Sequence, residues 1–277
     1  MISVAGGLHL VNGSITLAAM DEARLKSLSQ RLRTKANPKA KAWWQRYVKD
    51  GAPFLGVKMA DIRTATHEWF AEEVHGKLDA DRQLEVVLSL FFLNFTEEKL
   101  AGVLALDEIL LPANFIGGAS DVRDLGGLFA PGGIYDWNVC DWFSIKVLGS
   151  LIRRDGLSAA RKIGAWRSAP GLWKARSSLV AFVPVADIPA YRPLIERGCN
   201  ALIRREERFA KTAVGWILRE MSRHDRAAVS TLLNTNIRSF SREALKNATK
   251  HFPQGQQASY VKLWTATQRS FRNERRP

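Results

Sequence analysis

The stretch YDWNVCDW, residues 135–142, has the spacing of an amphipathic helix, and the prediction of an all-helical chain starts from it. It places Trp137 and Asp141 four residues apart, so that both side chains lie on one helical face. Aspartate is rarely buried without a partner, which makes an indole beside a carboxylate unusual for a simple core. We therefore predict that this helix carries a site that meets a cation.

Outward from this stretch, the chain from residue 21 onward is a succession of helical patterns with short glycine and proline breaks and no convincing period-two strand. Helix pairs of about 10 to 18 residues joined by short turns recur without strict sequence identity, which is typical of stacked helical repeats. The predicted fold class is therefore all-α, a HEAT-like repeat α-solenoid that is superhelical and C-shaped.

Composition divides the chain into segments. Residues 1–20 have no charged side chain and are predicted to form a loose N-terminal leader, with export as a minor alternative. Residues 21–253 form the predicted repeat domain, in which the glycine-rich insertion 112–134 is interpreted as a flexible loop. Residues 254–277 are predicted to form a basic C-terminal helix and tail.

Charge is unevenly distributed along the chain, whose formal net charge is +14. Residues 1–150 carry 16 basic and 18 acidic side chains, whereas residues 151–277 carry 25 basic and 9 acidic ones. Such a division is common in proteins with a polyanion-binding surface, most often for nucleic acid. The alternative is a generally basic protein without that role.

Other classes of site have little support in the sequence. Cys140 and Cys199 are too few for a disulfide framework, so we expect a reducing, cytoplasmic setting, associated with the nucleoid. The five histidines form no cluster with the spacing of metal ligands, and we expect no metal and no cofactor. The longest apolar run is too short to cross a bilayer, so we expect no membrane partner.

Two further motifs lie in the basic half. Trp173 and Arg176 are three residues apart, and a guanidinium can bind two phosphate oxygens at once. In the helix predicted around residues 206–223, Trp216 lies on an apolar stripe beside Gly215. Because glycine inside a helix costs about 1 kcal/mol relative to alanine, Gly215 indicates that a neighbouring backbone approaches closely.

The ordered set of motifs resembles the AlkD-type DNA alkylation repair glycosylases, a family of HEAT-like repeat proteins. The resemblance extends over most of residues 40–252 and is most specific in the run KTAVGWILRE, residues 211–220. The other matching segments are YVK at 47–49, FLGVK at 54–58 with Arg63, Trp137 with Asp141, Trp173 with Arg176, and FSREA at 240–244. The insertion before Trp137, the leader and the basic tail depart from the family pattern.

The resemblance implies a monomeric, monofunctional glycosylase that removes N3- or N7-alkylated purines from double-stranded DNA without metal or cofactor. It implies that Asp141 is the catalytic carboxylate, that Trp137 and Trp216 cradle the lesion with Tyr47, and that Arg176 clamps a phosphate. The further DNA-binding residues that it implies are Lys58, Arg63, Lys211 and Arg242. Trp173 is expected to hold the helix that presents Arg176.

The residues also admit ordinary explanations. Asp141 could be a surface residue, the tryptophans could be core, and Arg176 could pair with any neighbouring acid. The tryptophans at 43, 44, 142, 166 and 264 are interpreted as packing residues. Two other functions remain open, which are a non-catalytic repeat protein that binds distorted duplex and a protein-interaction scaffold.

Overall fold

The computed structural model describes residues 19–117 and 119–274, and this part of the chain consists of helices, turns and short loops without a strand. The predicted all-α class is confirmed. The first helix begins at Ala19, two residues before the predicted start. The predicted leader, except for its last two residues, lies outside the described residues.

The chain divides into two compact units, residues 1–151 and 152–277. The helices of the first unit are α1 (Ala19–Thr34), α2 (Pro38–Tyr47), α3 (Met59–Trp69), α4 (Ala80–Ser89), α5 (Thr96–Ala105), α6 (Ala119–Gly127) and α7 (Trp137–Phe143). Those that follow are α8 (Gly149–Ala165), α9 (Leu172–Val180), α10 (Arg192–Leu202), α11 (Arg208–Met221), α12 (Arg226–Asn236), α13 (Arg242–Ala248) and α14 (Gln254–Glu274). Helix α8 spans the boundary and is interrupted at Gly156, which has a φ of 62°. None of the described helices is long and apolar enough to span a membrane.

Helix α5 is the centre of the first unit, since every one of its residues is buried and it packs against α1, α3 and α7. It carries a buried cation, Lys99, whose side chain is 1% exposed. The Lys99 ammonium donates to the carbonyl of Phe91, to that of Gly132 at 2.7 Å and to that of Gly133 at 3.1 Å. Burial lowers the pKa of Lys99 to about 8, so near pH 7 the amine carries its proton and can make all three bonds.

The glycine-rich insertion is in part helical, so the prediction of a loop at residues 112–134 is wrong for residues 119–127. It contains α6, and the turn after α6 is held by the Lys99 ammonium through the Gly132 and Gly133 carbonyls. Leu125 and Leu128 are buried, and so is Ile134 at the end of the insertion. These apolar residues provide enough burial to outweigh the conformational freedom of the glycines.

Helix α11 occupies the corresponding position in the second unit and packs against α9, α10 and α13. The predicted close approach at Gly215 is confirmed. A Cβ placed on Gly215 would lie 2.6 Å from the Ala244 carbonyl oxygen and 2.9 Å from its Cα. Both are backbone atoms of α13, so they cannot move aside as a flexible side chain would.

We expect Gly215→Ala to lower the free energy of unfolding by about 1–3 kcal/mol, because overpacking against α13 outweighs the gain in helix propensity. Chemical denaturation measures the change. The matched control is Gly255→Ala in α14, where the added Cβ meets nothing within 4 Å and no loss is expected. A Gly215→Ala variant as stable as the wild type would show that α11 and α13 can move slightly apart with little loss of free energy of unfolding.

The last helix, α14, confirms the predicted basic C-terminal helix and runs for 21 residues. Trp264 anchors it, because the indole Nε1 donates to the Phe240 carbonyl at 2.8 Å. Residues 275–277, which include the last two arginines of the tail, lie outside the described residues.

Candidate functional site

Helix α7, which carries Trp137 and Asp141, is positioned by the carboxylate of Asp136. This buried side chain caps the helix, since Oδ1 accepts from the Val139 N–H at 2.9 Å. The other oxygen, Oδ2, accepts from the Ala52 N–H at 3.1 Å. A single carboxylate therefore joins the start of α7 to the loop that follows α2.

That loop, at residues 51–58, is held by a second buried carboxylate, that of Glu97 at the start of α5. Oε2 of Glu97 accepts from the Leu55 N–H at 2.9 Å, and Oε1 accepts from Gly56 at 2.7 Å and Val57 at 3.2 Å. Gly56 has a φ of 85°, and a Cβ there would lie 2.2 Å from the Asn37 carbonyl oxygen. The end of α2 is thus tied to α5 and α7 by hydrogen bonds to backbone groups.

The structure brings Tyr47 and Trp137 into contact. Their rings meet edge to face, with centroids 5.5 Å apart and planes at 79°. Tyr47 is 57% exposed, whereas Trp137 and Asp141 are half-buried. Asp141 lies one turn after Trp137 on α7, so its side chain is on the same helical face as the Trp137 indole.

Trp43 is a member of this surface that the sequence interpretation missed. It was predicted to be a packing residue, but it is 50% exposed and stacks on Tyr47, with centroids 5.1 Å apart and planes at 18°. The packing role falls instead to Trp44, whose ring stacks on that of Phe54 at 5.7 Å. The four-residue spacing of Trp43 and Tyr47 was the signal that placed both on one side of α2.

Two predicted DNA-binding residues of the first unit differ in their availability. Lys58 is exposed, immediately before α3. Arg63 is bound to Glu108, with Nε 2.9 Å from Oε1 and 3.1 Å from Oε2, and the same carboxylate contacts His67 Nε2 at 2.9 Å. A phosphate would have to compete with Glu108 for Arg63, so its DNA-binding role stays a prediction.

Arg176 in the second unit is buried, with 4% of its surface exposed. Its Nη1 donates to the Phe209 carbonyl at 2.6 Å and to Thr212 Oγ1 at 3.2 Å, and so bridges α9 and α11. Trp173 lies against the Phe209 ring at 5.2 Å, in agreement with a structural role. The phosphate clamp stays a prediction, and the bonds described for Arg176 make it a residue that positions α11.

The remaining predicted residues of the second unit lie on α11 and α13. Trp216 is half-buried, and the guanidinium of Arg219 lies 5.8 Å from its ring centroid. Lys211 is half-buried on α11, and Arg242 is exposed as the first residue of α13. Next to Arg242, a hydrogen bond from Arg208 holds the pKa of Glu243 below its usual value. The DNA-contact roles of Trp216, Lys211 and Arg242 stay predictions.

Comparison with known proteins decides the family. The family described as "DNA alkylation repair enzyme" matches residues 28–252, which include every candidate residue named above.

The chain belongs to this DNA alkylation repair enzyme family.

Among solved structures, it is similar to a predicted DNA alkylation repair enzyme from Enterococcus faecalis, with 19% identity and a TM-score of 0.66. That likeness covers 79% of this chain and 98% of the other, and it shows that the two share a fold. A search of curated proteins found no match. Membership in the DNA alkylation repair family and the shared fold support the predicted helical-repeat class.

Proposed function

We propose that the chain is a DNA glycosylase that hydrolyses the N-glycosidic bond of N3- or N7-alkylated purines in double-stranded DNA. The observation that carries the proposal is the contact of Tyr47 with Trp137, one turn before Asp141 on α7, in a member of the DNA alkylation repair family. An acidic group on a DNA-binding surface weakens phosphate binding, so its place beside two exposed or half-buried rings needs a chemical reason.

The chemistry of the lesion supplies that reason. A purine alkylated at N3 or N7 carries a positive charge and is already an activated leaving group, so little general-acid help is required. Positive charge develops on the deoxyribose as the bond breaks, as it does in glycoside hydrolysis. An ionised Asp141 near C1′ would stabilise that charge and orient the attacking water.

The aromatic rings would act beside the carboxylate. An indole or phenol face attracts a cation by about 0.5–2 kcal/mol, and it also excludes bulk water from the sugar. Trp137 is suited to this role because it shares a helical face with Asp141 and is braced by Tyr47. The scheme uses no lysine nucleophile, so we propose a monofunctional enzyme without lyase activity that acts as a monomer.

A base-release assay tests the proposal. The wild-type protein is incubated with duplexes that contain 7-methylguanine, 3-methyladenine or a bulky N3 adduct, and abasic sites are then cleaved by heat or alkali. We expect release of at least one cationic purine and no release of unmodified guanine from the matched duplex. Tight binding to all duplexes without release would contradict the proposal and favour a non-catalytic DNA-binding protein.

A further inference from the structure

Helix α2 presents two large aromatic rings to solvent, and none of its residues is buried. Trp43 is 50% exposed and Tyr47 is 57% exposed, and the two rings stack nearly parallel at 5.1 Å. Contact between water and aromatic surface is unfavourable, so adjacent exposed rings of this kind indicate a binding site.

The exposed rings of Trp43 and Tyr47 are held in place by other aromatic rings. The Trp44 ring meets that of Trp43 edge to face, with centroids 4.8 Å apart and planes at 87°. Trp44 in turn stacks on Phe54 at 5.7 Å and 14°, and Phe54 is only 3% exposed. The loop that carries Phe54 is fixed by the Glu97 carboxylate. The Trp43 and Tyr47 rings are therefore oriented in advance of binding, which lowers the entropic cost of a contact.

The charged side chains of α2 and of the two residues that follow it are all positive, and the first acidic residue after them is Asp50. Between residues 38 and 49 the exposed charged side chains are Lys39, Lys41, Arg46 and Lys49, and there is no acidic residue. Within the described chain, none of the four makes an ion pair. Apart from its aromatic rings, the exposed surface of α2 is made of alanine, glutamine, proline and the cations Lys39, Lys41 and Arg46. Lysine is depleted at protein interfaces, whereas lysine and arginine beside aromatic rings are typical of surfaces that bind nucleic acid strands.

We propose that Trp43, with Tyr47, forms a stacking surface for an unstacked nucleobase of DNA whose phosphates are bound by the basic residues of α2. A ligand that matches both the exposed rings and the cations of α2 has an aromatic face and a negatively charged backbone. Unpaired nucleic acid strands have both, and proteins bind them by stacking on the bases and by attracting the phosphates. The surface is continuous with the candidate site, because Tyr47 contacts both Trp43 and Trp137. The inference rests on the DNA substrate of the proposed function and adds to it a preference for duplex in which a base has left the stack.

The experiment compares two DNA probes of equal length, a fully paired duplex and a duplex with a single-nucleotide bulge, by fluorescence anisotropy. We expect Trp43→Ala to weaken binding to the bulged duplex about tenfold and to change binding to the paired duplex by less than about twofold. Trp43→Phe keeps an aromatic face and should recover most of the lost affinity. The matched control is Leu263→Ala, which removes an exposed apolar side chain from α14 and should leave both affinities unchanged.

If Trp43→Ala lost equal affinity for both probes, or lost no affinity for either, the inference would be overturned. Circular dichroism of Trp43→Ala checks that the helices are intact, and Trp43→Phe provides a second variant that conserves the packing on Trp44. Release of 7-methylguanine by the wild type is measured separately. Release without any effect of Trp43 on the bulged duplex would refute the stacking surface alone, whereas a Trp43-dependent preference without release would refute only the glycosylase.

Discussion

Replacement of Asp141 by asparagine is expected to reduce the rate of 7-methylguanine release roughly 100- to 1000-fold, while DNA affinity changes little or rises. The substitution keeps the shape of the side chain and removes its negative charge. The loss follows because only the carboxylate stabilises positive charge on the sugar in the transition state, and interactions made only there set the rate. Affinity should not fall, because an acid contributes nothing favourable to phosphate binding.

The measurement is single-turnover release from a duplex with one 7-methylguanine, with affinity determined on the same duplex. The matched control is Asp81→Asn in the first turn of α4, an exposed aspartate of the same unit, which should retain wild-type release. An Asp141→Asn variant that releases the base as fast as the wild type would remove Asp141 from the mechanism. A variant that loses binding together with release would assign it a structural role.

Replacement of Lys99 by methionine is expected to lower the free energy of unfolding by about 3–5 kcal/mol. Methionine fills much of the same volume but cannot donate to the carbonyls of Phe91, Gly132 and Gly133. Each buried acceptor left without a donor costs about 1–3 kcal/mol. Gly132 and Gly133 lie in the turn shortly before α7, so the variant should also loosen the start of the helix that carries Trp137.

Chemical denaturation near pH 7, where the amine is protonated, checks this expectation. The control is Lys77→Met, which removes a lysine that is 54% exposed and 3.9 Å from Glu73. Exposed pairs of this kind contribute about 0–1 kcal/mol, so the control should stay close to the wild type. A Lys99→Met loss as small as that of Lys77→Met would mean that the three carbonyls find other donors.

Local spacing was sufficient to predict the helical class and several contacts. The 3.6-residue periodicity and the glycine and proline breaks predicted helices from residue 21 to the basic C-terminal helix, and α14 agrees with that prediction. The glycine at 215 predicted a close backbone, because glycine in a helix interior is otherwise unfavourable. Spacing also placed Trp137 and Asp141 on one face, since both lie on the helix Trp137–Phe143.

Long-range burial could not be predicted in the same way. The insertion 112–134 was interpreted from its glycines, whereas its last turn is held by Lys99, which is more than 30 residues away in the sequence, and two leucines of the insertion are buried. The exposure of Trp43 was likewise misjudged, since residue type alone does not tell whether a neighbouring element covers a side chain.

What the sequence by itself determined is therefore what depends on residues a few positions apart, namely the helices, the breaks between them, and the placement of Trp137 and Asp141 on one face. Only the tertiary structure decided which of these faces is covered, because burial depends on segments distant in sequence. Asp136 and Glu97 show the reason most clearly. Each carboxylate accepts hydrogen bonds from the loop after α2, 84 and 42 residues away, and those bonds bring Tyr47 to Trp137.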